Sequence, residues 1–210
     1  VGGLRVWLVA DLVRRAAERR GWRVAVARED AGVAADLSAL NIHPASDALP
    51  GDAADVEIRP ALHDREGSSP SEGGRSFTIT VEVAPMDVVV APGGDPLALR
   101  LALLGVSYRR RAELSEPVLQ HAAATLRRWR GRVAGWAEQP SRPMCAEYVQ
   151  HVYAAYDDDL DTPAALRELH ALENDESIPP GSRFEAFVHL DRLLGLDLAR
   201  DIGTAAVLPR

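Results

Sequence analysis

Between residues 4 and 20 the apolar positions recur with the period of a helix. Leu8, Leu12 and Ala16 are spaced by four, and Val9, Val13 and Ala17 run beside them. Arginines gather at the end of this stretch and Gly21 follows it, a common way for a helix to stop. Residues 22–27 (WRVAVA) alternate and carry Val24 and Val26, which predicts a strand. A short helix is expected over residues 34–40. From 41 to 75 the periodicity fades, and the glycine, serine and proline crowded into 67–74 predict a flexible linker at about 64–75. Residues 77–83 (FTITVEV) and 88–91 read as two strands parted by Pro85, able to pair with each other or to join 22–27 in one sheet.

After Asp95 the pattern is helical. Asp95 is placed to cap a helix that has Pro96 in its first turn. The longest apolar stripe follows: Leu114, Val118, Ala122, Leu126, Trp129, Val133 and Trp136, at spacings of three, four or, around Leu126, both. Further helices are expected over residues 144–156, from Asp161 or Thr162 onward, and over 182–194. The expected fold class is therefore α/β plus all-α, with a partial α/β region over residues 1–94 and a helical bundle over residues 95–210.

Composition narrows the chemistry. Of 210 residues, 47% are hydrophobic, enough for a core, but only 5% are aromatic, so that core rests on Leu, Val and Ala. All 24 basic residues are arginine, which excludes a phosphate-loop lysine, a Schiff-base lysine and any lysine-dependent catalytic loop. One cysteine, Cys145, excludes an intramolecular disulfide and a multi-cysteine zinc site, and no zinc is expected. No apolar run is long enough to span a membrane, and the early charges do not follow a secretory pattern, so a cytoplasmic location is expected.

Five segments, in order, resemble the cysteinyl-tRNA synthetases of class I, and most closely the branch that ligates cysteine to a glucosaminyl-inositol. They are GLRVWLVADLVRRAAERRGWRVAV, ALNIHPASDALP, GDPLALRLALLGVSYRR, AYDDDLDTPAALRELHAL and FEAFVHLDRLLGLDL, about half of the chain. The resemblance implies a nucleotide-binding α/β part followed by a helical bundle that faces tRNA. It implies ATP as the nucleotide and cysteine as the activated acid. It also implies motifs that this chain departs from. The family's His-x-Gly-His turn falls on Val1-Gly2-Gly3, with the first His position before Val1 and Gly3 at the second. Its Lys-Met-Ser-Lys-Ser loop has no lysine here, only Ser76 nearby, with Arg75 as a candidate substitute. Its zinc site cannot be mapped, since the lone Cys145 lies in the helical half, and its anticodon-reading tail would lie beyond Arg210. The expectation is a shortened, motif-poor member without autonomous ligase activity, since losing one preorganised charge-stabilising group lowers a rate by ~10²–10³. The nucleotide-binding remnant would comprise Gly2, Gly3 and Asp30.

A second reading is a non-catalytic helical module. Residues 109–142 hold eight arginines against three acids, with Trp129 among them. Arg109, Arg110, Arg127, Arg128 and Arg130 are the candidate contacts to the phosphates of tRNA, or to a protein partner. Residues 157–176 hold eight acids against one arginine, so the two runs could instead face each other within the bundle. Asp157, Asp159, Asp161 and Glu168 imitate a calcium loop, but Thr162-Pro163 occupies the place of the required glycine, and helix capping by Asp161 is the better reading. Cys145 and His151 could approach each other.

Overall fold

A computed structural model describes residues 2–24, 26, 37–43, 56–61, 79–88 and 94–204. In chain order the elements are α1 (Gly2–Arg19), β1 (Val56–Pro60), β2 (Ile79–Val83), β3 (Met86–Val88), α2 (Pro96–Leu104), β4 (Ala112–Leu114), α3 (Glu116–Ala137), α4 (Ala146–Asp157), α5 (Thr162–Asn174) and α6 (Pro180–Leu194). A single 3-10 turn, Ser38–Leu40, stands in the stretch expected to be a short helix; residues 34–36 lie outside the described residues. The described chain is thus mostly helical, with two small parallel sheets.

The strands differ from their expected pairing. β1 pairs with β2 in parallel, and β3 pairs with β4 in parallel. β1 lies in a stretch whose periodicity is weak, and β4 in the part expected to be wholly helical. The segment 22–27 forms no strand at its described positions, and Trp22 is 65% exposed. The reason is local. Gly21, at φ 80°, ends α1, and the Trp22 N–H folds back onto the Ala17 carbonyl at 3.1 Å. Alternation shows that a segment has one apolar face; it does not supply a neighbouring edge. The expected linker at 64–75 lies outside the described residues, as do residues 77, 78 and 89–91.

β3, α2 and β4 make a parallel crossover with α2 as the connecting helix. Every residue of α2 from Leu97 to Leu104 is buried, as its nearly uniform apolar sequence requires. Asp95 caps it, accepting from the Leu97 N–H at 2.9 Å. The core of the bundle centres on Trp129 and Phe187, both fully buried, whose rings meet edge to face at 5.8 Å. Trp136 adds a second edge contact on Phe187 at 5.2 Å. Leu126, Val133, Val152, Leu169 and Leu190 close around them. Val118, expected in the stripe, is 39% exposed, while its neighbour Leu119 packs against the core from the first turn of α3. Gly181 is required at the start of α6, where a Cβ would stand 2.1 Å from the Pro140 carbonyl oxygen.

α1 is tied to the rest at its middle. Its Val9 packs with Val83 and Tyr108 in a small second core. Further along, Asp11 has a side chain only 1% exposed and accepts from Arg100 at 2.8 Å, Arg15 at 2.7 Å and Arg14 at 2.7 Å. Arg100, fully buried in α2, also donates to the carbonyls of Leu194 and Leu40, at 2.6 and 3.0 Å. Among the described residues no helix is long and apolar enough to cross a membrane.

Candidate nucleic-acid interface

The arginine run begins in the turn after α2. Gly105 ends that helix, and residues 106–111 lead into β4. Arg109 is exposed and grips Asp159 through Nε at 2.5 Å and Nη2 at 2.9 Å. Tyr108 donates its hydroxyl to the same carboxylate, and the Arg109 guanidinium lies 5.0 Å over the Tyr108 ring. Burial, reinforced by the Asp159 hydrogen bond and charge, pushes the Tyr108 hydroxyl up to about 12. The Arg109 hydrogen bond in turn holds the Asp159 carboxyl below its ordinary value. Arg111 pairs with Asp87 at 2.6 Å. Arg110 is exposed, and its side chain has no ion-pair partner among the described residues.

α3 carries the rest of the run, and its geometry sorts the arginines. Arg127 is exposed and has no ion-pair partner among the described residues. Arg128 is half-exposed and binds Glu173 of α5 through both Nε and Nη2, at 2.8 and 3.2 Å. Arg130 departs from the expected surface role. It is 4% exposed, donating to the Asp197 and Leu196 carbonyls at 3.0 and 2.8 Å and pairing with Asp95. An arginine so enclosed offers nothing to a phosphate. It joins α3 to the start of α2 and to the turn after α6. The signal was present in the spacing, since Arg130 follows Leu126 by four and adjoins Trp129, on the flank of the buried stripe.

The acidic run does meet the basic one in part. Asp159 faces Arg109 and Glu173 faces Arg128. Asp157 instead takes Arg19, the last residue of α1, and Arg20 in the turn after it, at 2.6 and 2.9 Å. Asp161 caps α5 by accepting from the Ala164 N–H at 3.0 Å, as its spacing from Pro163 predicts. Cys145 precedes α4, half-buried, and His151 bonds Glu168 at 3.1 Å, so the two do not form a pair. Among the described residues no cluster of metal-ligating side chains is found.

Gly2 and Gly3 open α1, while Asp30 lies outside the described residues. The nearest cation to that helix start, Arg5, is 2% exposed and points inward. Its guanidinium donates to the carbonyls of Ala84, Pro85, Arg110, Val106 and Ser107, between 2.6 and 3.3 Å. The Arg5 guanidinium is thus committed to backbone carbonyls and is not free at the helix start.

No family model matches this chain. Relatives do. The chain is 40% identical over 103 residues to the L-cysteine:1D-myo-inositol 2-amino-2-deoxy-alpha-D-glucopyranoside ligase of Streptomyces griseus, covering 49% of this chain and 22% of that protein. It is 40% identical over 83 residues to the cysteine–tRNA ligase of Xylella fastidiosa, covering 40% of this chain and 17% of that one. With the Gordonia bronchialis counterpart of the first ligase it shares 35% identity over 140 residues, covering 65% of this chain and 31% of the relative. The chain is cysteinyl-tRNA-synthetase-like. It spans less than a third of the length of these relatives in the matched stretches.

Two features of the synthetase-like chain had no separate signal in its sequence. One is the Asp11–Arg100 pair, whose members are 89 positions apart. The other is Glu173, buried at 2% exposure, which accepts from the Trp129 indole N–H at 2.9 Å as well as from Arg128. Burial would raise its carboxyl, but the hydrogen bonds from Arg128 and Trp129 and the Arg128 charge bring it below the ordinary value.

Proposed function

We propose that this chain is a synthetase-like binding scaffold that contacts tRNA through its arginine face and does not by itself activate cysteine. The observation that carries the reading is the sorting of the cations. Arg5, Arg100 and Arg130 are enclosed within the fold, whereas Arg110 and Arg127 remain exposed without ion-pair partners among the described residues. Arg109, Arg128 and Arg132 are held at the surface by single carboxylates. Arg5, in the first turn of α1, is enclosed and does not turn to a triphosphate there, and the chain contains no lysine. The exposed set is what a phosphate backbone meets. The names of the relatives, a cysteine–tRNA ligase among them, support tRNA as the polyanion.

The division into residues 1–94 and 95–210 belongs to this proposal, as does a cytoplasmic location. The run of packed helices from α2 to α6 supports the division, and its two parts are tied by the Asp11–Arg100 pair, by the Arg5 bonds to residues 106–110 and by the β3–β4 pairing.

The test has two arms. Purified protein is expected to give no cysteine-dependent exchange of pyrophosphate into ATP above a no-enzyme control. It is expected to bind bulk tRNA with an affinity that falls linearly in log–log form with salt. Sustained exchange would overturn the catalytic half of the proposal, and salt-independent binding the other half.

A further inference from the structure

Glu173 stands where α3 and α5 meet, with more donors around it than its oxygens can hold at once. Arg128 and the Trp129 indole occupy it. Arg132 Nε lies 4.0 Å away, and His170 Nδ1 lies 3.7 Å from the oxygen that Trp129 uses. The His170 ring is 4.9 Å from the indole, tilted by 50°. Burial keeps the His170 imidazole below its ordinary value, against the pull of Glu173, and the charges of Arg128 and His121 push the same way as burial. At neutral pH the imidazole is therefore uncharged and Arg128 holds the carboxylate. The groups facing His170 are His121, Arg128 and Trp129 from α3 and Glu173 from its own helix, with Arg132 of α3 on the far oxygen of Glu173. Arg183 of α6 bonds the Glu173 backbone carbonyl rather than its carboxylate.

We propose that this cluster is a proton-operated charge switch on the α3–α5 surface: a proton on His170 draws Glu173 to the imidazolium and releases Arg128 beside Arg127 and Arg132, where it takes up a phosphate of an anionic partner. The geometry permits the exchange with little movement. Arg128 and Arg132 side chains are 44% and 51% exposed, so a released guanidinium enters water directly, while Glu173, 2% exposed, stays paired throughout. His170, at 41% exposure, can receive its proton from solvent. The partner in this switch rests on the tRNA-contact reading above; the exchange of partners at Glu173 does not.

The probe is a fluorescent oligouridylate, measured by anisotropy across a salt series at pH 7.5 and pH 5.5. One released arginine adds one phosphate contact, so the slope of log affinity against log salt steepens by about 0.7 at the lower pH. His170→Gln loses that increment, and so does Arg128→Gln, which keeps the imidazole. In parallel, the Trp129 indole N–H resonance follows the His170 titration in wild-type protein and in Arg128→Gln, and stays still in His170→Gln. A slope that steepens equally in His170→Gln overturns the switch. So does a Trp129 resonance that ignores the His170 titration. If the Arg128 Nε–H resonance shifts together with the indole as His170 titrates while no RNA binds at either pH, the exchange at Glu173 stands and the RNA reading falls; an Arg128 resonance that stays still overturns the switch.

Discussion

Asp11 and Glu173 are both carboxylates ringed by arginine, yet they sit in opposite surroundings. Asp11 is enclosed among α1, α2 and α6, and two of its partners, Arg15 and Arg100, also bond backbone carbonyls at the ends of α6 and of the 3-10 turn. Glu173 is equally buried, but its arginines reach it from the solvent side. The contrast shows what decides whether a charged cluster is structural or available. The carboxylate is inside in both cases. What differs is whether its cations have anywhere else to go.

The comparison breaks most sharply at Asp11. Asp11→Asn leaves Arg100 buried with its carbonyl partners but no counter-charge, and removing one member of a buried pair costs about 3–5 kcal/mol. Urea unfolding measures the loss, and a change below about 1 kcal/mol would mean that the carbonyls alone suffice for Arg100. The same site fixes an acid limb of stability. Burial would raise the Asp11 carboxyl, but Arg100 and Arg15, together with the Arg14 hydrogen bond, bring it below its ordinary value. A carboxyl with a depressed folded value stabilises the fold above the unfolded value of about 3.9, and that contribution is lost as pH falls toward the folded value. Stability curves of wild type and Asp11→Asn should therefore converge as the pH drops below about 4.

Arg130→Met comes next, at about 2 kcal/mol, because it strips charged hydrogen bonds from Asp95 and two carbonyls while keeping much of the volume. The salt slope for tRNA should not change, since Arg130 never faces solvent. A shallower slope without loss of stability would return Arg130 to the surface.

Glu173→Gln should be milder, at about 1 kcal/mol. The amide oxygen can still accept from Trp129, and the half-exposed Arg128 regains water. Arg109→Ala is the smallest change, below about 1 kcal/mol, because both partners of the Arg109–Asp159 pair are at least half-exposed and screened by salt. Both values are readable in the same urea titration, and a larger loss at Arg109 than at Glu173 would reverse the ordering by burial.

Much of the helical part was legible because its elements announce themselves locally. Asp95-Pro96 and Asp161-Thr162-Pro163 state where α2 and α5 begin, and the spacing through Leu126, Trp129 and Val133 states which face of α3 goes inward. Asp95 also binds Arg130 and Arg200, and no local pattern encodes that. Of the strands, β2 was legible as a segment and β3 in part, β1 and β4 were not anticipated, and the one at 22–27 was not formed at its described positions. Which edge meets which depends on contacts such as Arg59–Glu82 between β1 and β2, 23 positions apart. The candidate contacts were read from charge alone. Charge along a chain does not distinguish Arg127, facing water, from Arg130, three positions on and enclosed. Asp30, the third member of the expected nucleotide remnant, lies outside the described residues.

The most direct test is the salt dependence of bulk tRNA binding in Arg110→Ala/Arg127→Ala beside Arg130→Met. Loss of two phosphate contacts should make the slope of the double variant shallower by about 1.8 at double-stranded sites, or about 1.4 at single strands, and leave its stability intact. Arg130→Met should keep the wild-type slope. A double variant that binds with the wild-type slope would contradict the claim that the arginines left over from internal pairing are the ones that meet RNA.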